Sequence, residues 1–316
     1  MIAVALAVLA SVLPFGARFE TVVTTCPGMN FPDLSSSPGA GVSYDKPRVV
    51  VTCTSTELTV TSNGMISFPF VAKTPNPLRS QSYTWRVPLA PRVAPTTSSI
   101  VNVLGTLGFT TTGLPIYGPT EGPMPATEAF GDPVFNKILD TCGGHAGPMA
   151  EYHHHALITV TACNLRSSGV IGYALDGIPI YGGLGCLDKK CSKKATMKSG
   201  YVRTGNPKTN SWAAYTYKKA KGVLDECNGR FQPDGTYGYH ATAGFPYVIG
   251  CFRGTPTVQV GSAAAPMPPM NGGPRPPGPP PPGQLPGPPP GPPPSPPPWQ
   301  GASFFCRITN TARVAV

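Results

Sequence analysis

Short runs of alternating or β-branched apolar residues, separated by turn-forming residues, recur through the middle of the chain. The runs Val49–Cys53 and Glu57–Thr61 predict a hairpin pair. The same pattern predicts further strands over Tyr83–Val87, Ser99–Val103, Ala156–Cys163, Val170–Ala174 and Pro246–Phe252. A helical stretch is indicated only near Glu128–Leu139. The chain is therefore predicted to be mainly β, with a sandwich-like, disulfide-bonded domain and few helices.

The pattern divides the chain into four zones. Residues 1–17 form an apolar run that is too short to span a membrane comfortably and is typical of a signal peptide, although no Lys or Arg precedes it. Residues 18–262 carry the strand pattern and form the predicted globular domain. Residues 263–299 are a Pro/Gly-rich tract typical of a polyproline II spacer, and residues 300–316 return to a strand-like pattern. No other stretch approaches about 18 apolar residues, so we expect no transmembrane segment in the mature chain.

Composition and charge narrow the class of protein. Hydrophobic residues make up 40% of the 316 residues, which excludes a wholly disordered chain. Charged residues make up 12%, a low share that excludes a coiled coil or a long-helix protein. The net charge is +10, and basic residues concentrate between Lys189 and Lys221 without a nucleic-acid-binding motif. We therefore expect no nucleic-acid partner.

An internal repeat lies in the middle of the chain. The pattern Leu-Asp-x-Cys-x-Gly begins at Leu139 and again at Leu224, an offset of 85 residues, and a Tyr and a His follow at equal spacing in both copies. The matched residues are Tyr152 with Tyr237 and His155 with His240. Each copy begins with a Gly-x-Pro-Ile-Tyr-Gly turn, at 113–118 and at 177–182, which precedes its Cys and His segment. The predicted copies span about 113–163 and 177–251.

Nine cysteines, in a chain with a predicted secretory leader, indicate disulfide bonds. Within the repeat, Cys163 follows Cys142 by 21 residues and Cys251 follows Cys227 by 24, so each copy is expected to close its own bridge. The full predicted set is Cys142–Cys163, Cys227–Cys251, Cys186–Cys191 and Cys26–Cys53, and Cys306 is left over.

All five histidines fall within the repeat, and four of them lie between positions 145 and 155. On a strand, His153 and His155 share one face while His154 points to the other, and a Gly-Gly turn can return His145 toward the first face. Because imidazole suits zinc or copper, these two metals are the candidate cofactors. The predicted ligands are His145, His153, His155 and His240, and the carboxylates expected to orient their rings are Asp140, Glu151 and Asp225.

Alternatives remain open for these residues. The histidines can be structural, hydrogen-bonded groups, and Asp140 and Asp225 can cap backbone N–H groups at turns. The second copy has Arg230 at the place of His145 and Gly238 at the place of His153. Because a guanidinium repels a cation, either the first copy alone binds metal, or His240 completes a site shared between the copies.

Taken together, these motifs resemble the YHYH-domain family over about residues 40–256. The resemblance rests on Asp140–His145, Glu151–His155, Gly169–Gly182, Leu224–Gly229, Gly238–His240 and Phe245–Gly254, with Ser62–Gly64 and Ser82–Pro88 in its opening part. It implies a secreted or surface module without a settled activity. The Tyr-His-Tyr-His of the family stands here as Tyr152–His155 and Tyr237–His240. If the family binds metal through both copies, this chain is expected to bind fewer ions or to bind them less tightly.

Two features indicate an extracellular partner. The proline tract is similar in composition to hydroxyproline-rich glycoproteins of plant and green-algal walls. The basic loop formed by Lys189, Lys190, Lys193 and Lys194 suits an anionic cell-wall polysaccharide.

The leading prediction is a secreted, extracellular or cell-wall-associated binding module that holds a transition metal through its histidine cluster. One alternative is a structural wall or matrix protein that binds anionic polysaccharide and whose histidines are structural. A second alternative is a copper-dependent oxidase. No Gly-x-Ser-x-Gly, phosphate-loop or His-Glu-x-x-His motif occurs in the sequence, which weighs against an enzyme.

Overall fold

The computed structural model describes residue 26 and residues 30–101, 103–122, 131–158 and 161–257. The predicted signal peptide, the proline spacer and the C-terminal segment with Cys306 lie outside the described residues. Among the residues described, no helix is both long and apolar enough to cross a membrane.

Strands dominate the described part of the chain, which confirms the mainly β class. The first nine strands are β1 (Val49–Cys53), β2 (Glu57–Ser62), β3 (Tyr83–Pro88), β4 (Ser98–Ser99), β5 (Thr106–Thr110), β6 (Pro115–Tyr117), β7 (Gly144–Ala146), β8 (Tyr152–His154) and β9 (Val170–Ala174). The remaining strands are β10 (Pro179–Tyr181), β11 (Leu184–Cys186), β12 (Lys194–Thr196), β13 (Tyr201–Arg203), β14 (Tyr215–Tyr217), β15 (Gly229–Phe231), β16 (Tyr237–His240) and β17 (Cys251–Phe252). Short 3-10 turns occupy Thr161–Cys163 and Trp212–Ala214.

Strands β1, β2 and β3 form a three-stranded antiparallel sheet. Its first two strands are the hairpin that the sequence predicts. In β3, Tyr83, Trp85 and Val87 are buried while the residues between them are more exposed, as the period of two requires for a strand with one face on the core. This sheet therefore presents one apolar face to the rest of the domain.

The second sheet has eight strands in the order β15-β16-β10-β9-β5-β6-β8-β7. Read outward from its centre, β5-β6-β8-β7 repeats β9-β10-β16-β15. In each half the first pair is antiparallel, the second parallel and the third antiparallel. The sequence repeat is therefore a structural repeat, with the two copies joined side by side in one sheet.

The two halves meet where β5 pairs antiparallel with β9. Phe109 lies opposite Tyr173, Gly108 opposite Ala174 and Thr110 opposite Gly172. A Cβ on Gly108 would lie 2.6 Å from the carbonyl oxygen of Tyr173, and a Cβ on Gly172 would lie 2.6 Å from that of Phe109. The pairing is self-complementary and needs glycine at both equivalent positions.

The two sheets pack face to face around a shared apolar core. The Trp85 ring on β3 stacks on the Phe109 ring on β5, with 4.9 Å between ring centroids. Further buried side chains from both sheets complete this core, among them Leu58, Val60, Ile116, Ile171, Ile180 and Tyr239. The predicted sandwich-like packing is therefore present.

All four predicted disulfides form. Cys142–Cys163 and Cys227–Cys251 close the equivalent hairpin regions of the two copies. Cys186–Cys191 closes the basic loop, and Cys26–Cys53 ties the chain before the first sheet to β1.

Several predicted elements are shorter or absent. Only Ser98–Ser99 pairs in the region of the predicted Ser99–Val103 strand, and only Cys251–Phe252 pairs within Pro246–Phe252, where tight turns at Tyr247 and Val248 replace a ladder. The strand predicted over Ala156–Cys163 is wrong for the described residues of that range, since the strand of this region ends at His154 and Thr161–Cys163 form a 3-10 turn. In the described part of the predicted helix, residues 131–139, a single set of turns ends where Lys137 adopts a φ of 58°.

The central pairing yields a stability prediction. Gly172→Ala is expected to lower the free energy of unfolding by about 1–3 kcal/mol, because its methyl group meets a backbone oxygen that cannot move aside. Denaturant unfolding with the disulfides intact measures the loss. Gly244→Ala is the control, since its nearest neighbour would be Ser199 Cβ at 3.6 Å. Equal stability of the two variants would contradict the close β5–β9 contact.

Candidate metal centre

The hairpin of β7 and β8 brings the predicted histidines together. His145 lies directly opposite His153 in the strand register, so their side chains share one face. His155 follows two residues later and lies on that face, although the strand itself ends at His154. His154 points the other way, and its Nδ1 lies 3.1 Å from the Cys142 carbonyl oxygen.

Three imidazoles and one carboxylate converge on a single point. His153 Nε2 lies 3.0 Å from His145 Nε2 and 3.1 Å from His155 Nε2. Glu121 Oε2 lies 2.9 Å from His145 Nε2 and 3.0 Å from His155 Nε2. The four donor atoms all lie within 4.8 Å of one another. The three histidines are buried, and the Glu121 side chain is 24% exposed.

Contacts on the far side of the His153 and His155 rings favour Nε2 as the nitrogen that faces this cluster. His155 Nδ1 donates to the Gly118 carbonyl oxygen at 2.6 Å. His153 Nδ1 lies 3.6 Å from Glu151 Oε1, and the Tyr117 ring stacks on the His153 ring at a centroid distance of 3.9 Å. With a proton on Nδ1, each of these two rings presents the lone pair of Nε2 to the centre.

The carboxylate of the cluster contributes an acceptor that lacks a donor. Glu121 Oε2 is buried and accepts no hydrogen bond of acceptable geometry, although two imidazole nitrogens lie beside it. Carboxylate and imidazole lone pairs repel one another at such distances unless a positive centre lies between them. The arrangement therefore fits a bound metal ion.

The protonation states also suit a metal. Complete burial lowers the pKa of His153 to about 4, so its ring is neutral near pH 7. Burial alone would raise the pKa of Glu121, but contacts with His145 and His155 hold it well below its usual range. A carboxylate and a neutral imidazole are the forms that bind a metal.

Glu121 was not identified from the sequence. It follows the Gly-x-Pro-Ile-Tyr-Gly turn by three residues, and Gly185 holds the corresponding place in the second copy. The turn itself is the signal that could have found it, because Gly118 at its end also orients His155.

His240 lies outside this cluster, in the equivalent place of the second copy. Its Nδ1 donates to the Gly182 carbonyl oxygen at 3.0 Å, as His155 does to Gly118. Its Nε2 lies 3.1 Å from Gln232 Nε2 and accepts from Arg230 Nε at 3.4 Å. The structure therefore gathers the metal-type donors in the first copy and surrounds His240 with hydrogen-bond donors.

Of the three predicted carboxylate partners, two lie at turns and one lies beside the cluster. Asp140 Oδ1 accepts from the backbone N–H groups of Cys142 and Gly144, and Tyr152 donates its hydroxyl to the same carboxylate. Asp225 repeats this arrangement with Cys227, Gly229 and Tyr237. Both aspartates therefore cap backbone N–H groups at turns, as the alternative interpretation of the sequence expects, and neither contacts a histidine of the cluster through these hydrogen bonds. Glu151 alone of the three lies beside a histidine of the cluster.

The basic loop forms a separate surface. Lys189, Lys190, Lys193 and Lys194 are exposed, and the Cys186–Cys191 disulfide encloses the first two of them. Asp188, the acidic residue of this loop, accepts from the backbone N–H groups of Ser192 and Lys193. Its carboxylate therefore fixes the loop backbone.

Comparison with known proteins finds one protein-family model that covers these features. The model described as "YHYH protein" matches residues 84–254, a little over half of the chain. No curated protein and no solved structure matches the chain significantly.

The buried histidines yield a pH prediction. Burial lowers the pKa of His240 from 6.5 to about 4, so between these pH values the unfolded chain binds a proton that the folded chain does not. The free energy of unfolding therefore falls as the pH falls through this window, by about 1.4 kcal/mol per pH unit for each such histidine. His240→Gln should reduce the slope by about one proton in denaturant unfolding with a chelator present. An unchanged slope would show that His240 titrates normally in the folded chain.

Proposed function

The chain belongs to the YHYH protein family, and we propose that its domain is an extracellular module that binds one transition metal ion. The proposed ligands are His145, His153, His155 and Glu121. The observation that carries the proposal is the convergence of four lone-pair donors whose buried carboxylate oxygen accepts no hydrogen bond. Zinc and copper are the candidate metals, because both accept imidazole nitrogen.

An extracellular location is supported by covalent chemistry. Four disulfides join eight cysteines, and such bonds persist in oxidising compartments. In the proposed secreted protein they hold the two hairpin regions while the metal holds the histidine face of the first. The proposed leader and proline spacer would deliver the module to a wall or matrix and tether it there.

Limited access to the cluster favours binding over the oxidase alternative. The three histidines are 1–3% exposed and Glu121 is 24% exposed, so within the described part of the chain the cluster is most open at Glu121. Catalytic metal sites keep a position open to substrate, whereas sites closed by four protein ligands are structural. A stored or structural ion therefore explains the enclosure better than turnover does.

Metal content tests the proposal with a matched pair of variants. His155→Ala and His240→Ala remove equivalent histidines, each bonded through Nδ1 to a glycine carbonyl, but only the first belongs to the cluster. The full chain, expressed through an oxidising compartment, should carry about one equivalent of zinc or copper by elemental mass spectrometry. His155→Ala should lose it and His240→Ala should keep it.

Two outcomes would contradict the proposal. One is a folded wild-type chain that takes up no metal when zinc or copper is supplied. The other is equal metal content in the wild type and in His155→Ala, which would make the histidines structural.

A second candidate function is binding of an anionic cell-wall polysaccharide through the basic loop. Its specific support is the set of four exposed lysines within and just after one disulfide-closed loop, whose Asp188 accepts from backbone N–H groups. Clustered cations on a pre-ordered loop attract a polyanion with little further loss of conformational entropy.

Retention on immobilised polygalacturonate or a sulfated glycan tests this function. Replacing Lys189, Lys190, Lys193 and Lys194 by Gln should abolish retention at low salt, while added salt should elute the wild type. The charge-matched control replaces Lys73, Lys218, Lys219 and Lys221, which are also exposed, and should be retained. Equal loss in both variants would mean that net charge alone is responsible, and no wild-type retention would remove the candidate.

A further inference from the structure

The four donor atoms of the cluster are arranged as a ring rather than as a compact tetrahedron. Going around it, Glu121 Oε2, His145 Nε2, His153 Nε2 and His155 Nε2 are separated by 2.9, 3.0, 3.1 and 3.0 Å, the last distance closing the ring. Among these described side chains, no ion pair joins Glu121 to His153, no hydrogen bond joins His145 to His155, and all four donors stay within 4.8 Å. Each donor thus has two close partners around the ring and forms no bond across it.

The edge lengths discriminate between coordination geometries. A square with sides of about 3.0 Å has diagonals of about 4.2 Å and places its centre about 2.1 Å from each corner, a normal metal–imidazole distance. A tetrahedron with edges of about 3.0 Å places its centre only about 1.8 Å from each corner, which is too short for zinc. It would also require the cross-ring pairs to be as close as the others.

The elements around the cluster hold the donors in this order. His145 and His153 are fixed opposite each other by the β7–β8 ladder, and the Gly118 carbonyl fixes the His155 ring. The second carboxylate oxygen of Glu121, Oε1, accepts from the Gly122 N–H at 2.8 Å, which turns Oε2 toward the histidines. The positions of these donor atoms are therefore set by backbone contacts that do not require a metal.

We infer that the site is built for a tetragonal copper(II) ion, with three imidazole nitrogens and one carboxylate oxygen in its equatorial plane. The inference rests on the proposed metal-binding function and adds the identity of the metal. Square-planar or tetragonal nitrogen and oxygen donors are typical of copper(II) or nickel(II), whereas structural zinc sites are tetrahedral. Of these two tetragonal metals, copper(II) binds the more tightly to a given set of donors.

Affinity alone does not test this geometry, because copper(II) exceeds zinc at almost any such site. The test therefore reads geometry directly, on the full chain loaded with Cu²⁺ and, separately, with Co²⁺. Electron paramagnetic resonance of the copper form should give an axial spectrum with coupling to three nitrogens, and ¹⁵N-histidine should change that coupling. Glu121→Gln should shift the spectrum and lower copper affinity at least about tenfold, while His240→Ala should match the wild type.

The outcomes separate this inference from the function on which it rests. Copper bound with a rhombic spectrum and a narrow parallel splitting, together with the intense visible absorption of tetrahedral Co²⁺, would overturn the tetragonal site and leave metal binding intact. Absence of bound copper with retained uptake of zinc or cobalt would overturn the copper site alone. Absence of all three metals, or the same spectrum from His155→Ala, would overturn both. The axial three-nitrogen spectrum with weak Co²⁺ absorption supports both.

Discussion

The antiparallel pairing of β5 with β9 is the contact on which the rest of the domain depends. Because Phe109 lies opposite Tyr173, the two copies are related about one point in the middle of an eight-stranded sheet. The two glycines beside this point let the backbones approach, and the Phe109 ring then stacks on Trp85 of the first sheet. From this centre each copy runs outward to a hairpin whose histidine bonds back to a turn glycine.

The shared scaffold explains which parts of the two copies are alike. Asp140 accepts from the Tyr152 hydroxyl, and Asp225 accepts from the Tyr237 hydroxyl, 85 residues further along the chain. Each aspartate also accepts from the backbone N–H groups two and four residues after it. These carboxylates hold the turn from which the histidine-bearing hairpin starts. They act on the site through the backbone. The repeat therefore identified both aspartates as equivalent residues, but it did not indicate their contacts.

Much of this arrangement was predictable from the sequence, because it is encoded locally or by repetition. The hairpin of β1 and β2 follows from alternating residues, and two of the four disulfides follow from the matched cysteines of the copies. The side-by-side placement of the copies was not predictable, because it depends on Gly108 and Gly172, which carry no side chain to show a pattern. Glu121 was missed for a similar reason. Its counterpart in the second copy is Gly185, which has no side chain, so the repeat does not reveal the position. The strand predicted over Ala156–Cys163 failed in its described residues, because the hairpin strand ends at His154 and Thr161–Cys163 turn as a 3-10 helix.

The difference between the two copies supports a positive centre at the same place in each. In the first copy, the Glu121 carboxylate faces three imidazole rings, and Gly185 holds the place of this carboxylate in the second copy. In the second copy, the Arg230 guanidinium donates to His240 Nε2, the atom equivalent to a cluster donor, and also to the Cys186 carbonyl oxygen. A Cβ on Gly185 would lie 2.9 Å from Arg230 Nη2, so a carboxylate-bearing side chain and this arginine would compete for the same space. A covalently attached cation therefore satisfies the imidazole in the second copy, and the proposed metal ion would take the same role in the first.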